Sequence, residues 1–126
     1  MKLDLSGRLV TSCDYSYAAT IRFTGEFELS FEGDALLDRP DRRVNLSPEN
    51  DGGAGGEALS ELNDLRVTAS IAEESGQLRV TFEDGTTLWV HPDDEFESWT
   101  LAGPNASKIV CMPGGELAVW SGAQGD

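Results

Sequence analysis

The stretch "DDEFESWTLAGPN", residues 93–105, sets Asp93, Asp94, Glu95 and Glu97 within five positions, with Trp99 two residues on. A carboxylate pair serves as general acid and base where burial drives the two pKa values apart. A cluster of carboxylate oxygens also holds Ca²⁺ or Mg²⁺. The calcium-loop spacing, with Gly at the sixth position and Glu at the twelfth, is absent. His91, the only histidine, stands just before the acids and would serve a small hydrolase together with Asp94 or Glu97. No G-x-S-x-G nucleophile turn accompanies it. A run of acids between two strands reads first as a solvated connection. A charged face for a partner comes second, and catalysis third.

Cys13 and Cys111 each sit inside an apolar, strand-like run and read as two buried thiols. With one histidine they leave a Cys/His zinc site short of ligands. "GGAGG" lacks the Lys-Ser/Thr of a phosphate loop, and "PGGE" lacks the strand-to-helix setting of a dinucleotide turn. No metal and no cofactor is expected, and the chain does not read as an enzyme.

The net charge is −14, from 9 basic and 23 acidic residues. It is uneven: residues 1–47 carry 6 Lys/Arg against 8 Asp/Glu, and the remainder carry 3 against 15. Such a field repels nucleic-acid phosphates and attracts a cationic protein. It serves solubility as well. No run approaches the roughly 18 apolar residues of a membrane helix. The opening "MKLDLSGRLVTSCDY" has acid and glycine where a signal peptide has an apolar block. A cytoplasmic protein without membrane contact is expected.

The elements that would position these groups are strands. "ATIRFTG" sets Ile21 and Phe23 against Thr20, Arg22 and Thr24, and "EFELSFEGD" sets Phe27, Leu29 and Phe31 against Glu26, Glu28, Ser30 and Glu32. "LRVTASI" places Val67, Ala69 and Ile71 on one face and Ser70 on the other. "QLRVTFEDGTTLWV" is a hairpin turning at Asp84-Gly85, and "SKIVCMPGGELAVW" is a second, turning at Pro113-Gly114-Gly115. Trp89 falls on the second face of its strand, where packing is the first reading and a partner anchor in a homodimer the second. Trp120 ends the last strand and reads as core or sheet cover. In "GEALSELNDL", Leu59, Leu62 and Leu65 predict one short helix near 57–65.

The halves echo each other. Val10, Ile21 and Phe23 match Val67, Val80 and Phe82, predicting two three-stranded meanders joined through a Gly-rich internal loop over 45–58. The expected fold is a single mainly β domain over residues 1–126. Its six to eight antiparallel strands form a rolled sheet or sandwich with one short helix.

The C-terminal stretch resembles a family of small uncharacterised actinobacterial proteins. The residues that carry the likeness are Phe82, Asp84, Gly85, Leu88 and Val90, then Phe96, Glu97, Trp99, Gly103 and Pro104. Pro113, Gly114, Gly115, Glu116 and Trp120 follow. The opening "LSGRLVTSCDYSYAATIRF" resembles the family's start. That family brings no activity to transfer. Small acidic β-rich proteins of this kind are similar, by analogy alone, to immunity proteins that block a cognate toxin. The expected function is therefore non-enzymatic binding of a cationic protein. Asp93, Asp94, Glu95 and Glu97 would supply charge and Trp99 the anchor. A structural or oligomerisation module is the competing expectation, ahead of the carboxylate–histidine hydrolase. The resemblance also implies a structural role for Glu97, capping backbone N–H groups beside Trp99.

Overall fold

The structure, a computed structural model, describes residues 1–121. Among these residues, eleven strands form two antiparallel sheets. One sheet has the order β1 (Val10–Tyr15), β2 (Ala19–Phe23), β3 (Phe27–Phe31), β9 (Trp99–Ala102), β10 (Ser107–Cys111), β11 (Leu117–Ser121). The other runs β5 (Arg43–Leu46), β4 (Ala35–Asp38), β8 (Thr87–Val90), β7 (Leu78–Phe82), β6 (Val67–Ala72). The strand count exceeds the expected six to eight because β4, β5 and β9 have four residues each, too few to show a period.

Period-two patterning selects the core. Ile21, Leu29, Phe31, Leu37, Leu78, Val80, Leu88, Val90 and Trp99 are buried between the sheets. Strand β6 departs from its expected phase. The pairing shifts between Val67 and Ala69, and this bulge buries Ser70 and Ala72 and half-exposes Ile71. Ser70 tolerates burial because its hydroxyl donates to Leu3 O at 3.1 Å.

The echo between the halves extends to the topology. β1-β2-β3 and β6-β7-β8 are meanders in different sheets. Each is extended by a hairpin from the other half: β9-β10 joins β3, and β4-β5 joins β8. Equivalent residues keep equivalent partners. Val10 pairs with Phe23 as Val67 pairs with Phe82, with a bulge following in both. Leu29 pairs with Leu101 as Leu88 pairs with Leu37. Among the described strands, only β11 lacks a counterpart.

The Gly-rich segment is a tied loop. Asp51 accepts hydrogen bonds from the Tyr15 hydroxyl, from Ser47 N–H at 3.3 Å and from Gly53 N–H at 3.0 Å. Helix α1 (Gly56–Ser60) follows, shorter than the leucine spacing suggests, with Leu59 and Leu62 buried. Cys13 and Cys111 are free thiols on β1 and β10. Three strands separate them, roughly 19 Å at the usual inter-strand spacing, so no disulfide joins them. Burial pushes the Cys13 thiol up to about 11, with the Asp14 carboxylate adding to it. It raises the Cys111 thiol as well.

Candidate functional site

The acidic stretch is the connection between β8 and β9, and it is pinned at both ends. His91 N–H donates to Asp34 O at 3.2 Å, the Ser98 hydroxyl donates to His91 O, and Ser98 N–H donates to Cys111 O at 3.2 Å. In the middle, Asp93 O accepts Gly114 N–H at 2.8 Å, which ties the acids to the β10–β11 turn. The Asp93 carboxylate accepts Glu95 N–H at 2.8 Å. This cap lies ahead of the turn where one from Glu97 is expected. No polar partner of Glu97 is found among the described residues.

A third connection completes this end of the sandwich. Trp99 Nε1 donates to Gly76 O at 2.8 Å, and Cys111 Sγ donates to the same oxygen at 3.4 Å. Gly76 lies in the turn between β6 and β7. That turn and the β10–β11 turn meet backbone to backbone. Gly115 has φ +98°, and a Cβ there would lie 2.1 Å from Ser75 O. Gly76 has φ +94°, and its Cβ would lie 2.4 Å from Gly115 O. Side chains are thus barred from both positions by backbone angle and by space. The Pro-Gly-Gly turn is a packing junction as well as a chain reversal.

Trp99 is consequently misplaced as an anchor. It is 1% exposed, faces the core beside Phe31 and spends its indole N–H on Gly76. A first strand residue bounded by a buried polar contact has no surface to offer. Asp94, Glu95 and Glu97 are exposed and Asp93 is half-buried. None of the four forms an ion pair among the described residues. The three converging connections, residues 73–77, 91–98 and 112–116, also carry Glu73, Glu74 and Glu116. That makes seven carboxylates and no Lys or Arg. Among the described residues, only Glu73 has a cationic neighbour, Arg79 at 3.9 Å.

His91 does not join the acids. Its Nδ1 lies 3.2 Å from Gln77 Oε1, and no polar contact links it to Asp94 or Glu97 among the described residues. Those residues hold no cluster of three His, Cys, Asp or Glu side chains able to bind a metal.

The exposed tryptophan is Trp120, 52% accessible, beside Val119 at 52%. The expectation of sheet cover fails for Trp120 because β11 is the outermost strand. Trp89 is half-buried on the outer face of its sheet, with the Arg79 guanidinium 5.8 Å above the ring. That contact takes the face a partner would use.

Tyr15 and Asp51 carry no local motif, yet they organise a groove of about 290 Å³ with Tyr17 and Glu49 on its walls. Burial raises the Tyr15 hydroxyl pKa and the Asp51 hydrogen bond raises it further. Against the upward pull of burial, the Tyr15 hydroxyl and the N–H groups of Ser47, Gly53 and Ala54 hold the Asp51 carboxyl below its ordinary value.

No helix among the described residues is long and apolar enough to cross a membrane. No curated protein and no solved structure matches the chain. A family model does match, over residues 1–121, and on that match the chain belongs to the family of unknown function DUF6188.

Proposed function

We propose that this chain is a non-enzymatic binding protein whose acidic end takes a cationic protein, with immunity-type inhibition as the form of that activity. One observation carries the reading. Three connections from both sheets are bonded together at one end and present seven carboxylates with no Lys or Arg among them. A rigid, uncompensated acidic surface speeds encounter with a basic partner and favours it over acidic competitors. Asp94, Glu95 and Glu97 supply charge. Asp93 supplies the local fold. The separation of His91 from the acids favours binding over carboxylate–histidine hydrolysis.

The test is capture from source-cell lysate at low and high salt. The baits are the wild-type chain and a variant carrying Asp94→Lys, Glu95→Lys and Glu97→Lys. A basic protein retained by the wild type, weakened by salt and lost by the variant supports the reading. Equal retention by both baits ends it.

A further inference from the structure

Three of the four sheet edges are blunted. The N-terminal segment covers β6 through the Lys2–Ile71 bridge and Leu3 N–H to Ser70 O at 2.9 Å. Residues 64–66, ahead of β6, cover the start of β1 through the Leu9–Arg66 bridge and Val10 N–H to Leu65 O at 2.9 Å. Strand β5 is short and carries Arg43 and Asn45 outward. Among the described residues, Leu117 to Trp120 of strand β11 carry none of these devices. The strand runs Leu117-Ala118-Val119-Trp120 without a charge or a proline, at the end of the six-stranded sheet.

Its exposed side chains point both ways. Val119 pairs with Ile109 and, like Trp120, borders a groove of about 220 Å³ between the N-terminal segment and the six-stranded sheet. Trp120 pairs with Lys108 on the opposite face, with the ammonium 6.0 Å from the ring. An added strand covers both at once.

We propose that β11 pairs antiparallel with β11 of a second copy of this chain, about a two-fold axis at Val119. That register is self-complementary. Val119 meets the partner's Val119, and the large Trp120 faces the small Ala118 of the partner subunit. The partner's Glu116 falls on the diagonal from Trp120, where Lys108 already rests, so opposite charges meet. The remainder of each copy repels the other, because each carries −14. Self-association therefore strengthens with salt. Capture of a cationic protein at the acidic end weakens with salt. The two readings use different residues and fail separately.

The test is sedimentation across concentration and salt, joined to cysteine cross-linking in a Cys13→Ala, Cys111→Ala background. A dimer that tightens severalfold with added salt and is lost in Trp120→Glu and Val119→Lys is expected. Both positions are half-exposed, so these variants fold. Val119→Cys should cross-link to itself, since directly opposed residues lie about 4.5–5.5 Å apart, within disulfide range. Ser121→Cys should not, since four strand steps, roughly 13 Å, separate the two copies of that position. A monomer through millimolar concentration, a dimer indifferent to Trp120→Glu, or equal cross-linking at 119 and 121 overturns the proposal.

Discussion

Two adjacent glycines offer a direct test of the junction that holds the acidic end. Gly114 and Gly115 both have positive φ, +87° and +98°. An alanine in left-handed backbone costs about 1–2 kcal/mol. At Gly114 nothing lies within 4 Å of the added Cβ, so Gly114→Ala should cost that amount alone. At Gly115 the Cβ would lie 2.1 Å from Ser75 O, well inside the 3.0 Å below which real Cβ contacts are essentially never found. The obstacle is backbone, so one of the two turns must move. Forced shifts of this kind cost about 1–3 kcal/mol, which brings Gly115→Ala to roughly 2–5 kcal/mol. Urea unfolding at a common slope reads the difference as a shift in midpoint. Equal costs at the two positions would refute the backbone contact between the β6–β7 and β10–β11 turns, and with it the rigidity assigned to the acidic end.

Trp99→Phe removes the bond to Gly76 O and leaves unfilled space, an expected loss of about 2 kcal/mol by the same unfolding assay. The Asp94, Glu95, Glu97 triple lysine variant changes net charge from −14 to −8. It should remain within about 0.5 kcal/mol of wild type per site, since these side chains are exposed and unpaired. Asp51 is held below its ordinary value in the fold. Its contribution is complete above the unfolded carboxyl pKa of about 4 and is lost as pH falls through the folded one. Thermal melts of Tyr15→Phe should show a flatter acid arm. Cys13 moves the other way: pushed up from 9.0 to about 11, it contributes stability below pH 9 that is lost as pH rises through 11. Melts of Cys13→Ala should lose part of the alkaline decline.

The meanders were legible because β2, β3, β7 and β8 alternate without interruption and Asp84-Gly85 announces their turn. β6 misled because a bulge reverses its phase, and a bulge at Thr68 has no signature in "LRVTASI". The acids were readable as a cluster, since exposure is the default for consecutive carboxylates. The fate of each tryptophan was not. Trp99 is buried by a bond to a residue 23 positions away, and Trp120 is exposed because of strand order. Both facts belong to tertiary structure. Tyr15 and Asp51, 36 positions apart, were invisible for the same reason.

The internal repeat explains where the unusual surface lies. Strands β1 to β5 and β6 to β10 map onto each other across the two sheets, and each half ends in a hairpin lent to the other sheet. A molecule built only from those ten strands would have two equivalent ends and two equivalent outer edges. Strand β11 breaks the equivalence. Its connection supplies Gly114 and Gly115, which bind the acidic loop and the β6–β7 turn. Its far end supplies Val119 and Trp120. The corresponding position beyond β5 instead leads into the loop that Asp51 folds around Tyr15. The tie across the acidic end and the open edge thus both come with the added strand, the first from its turn and the second from its outer side. Changes in the β10–β11 turn should reach the acidic end, changes at Val119 and Trp120 the open edge, and changes in β5 neither.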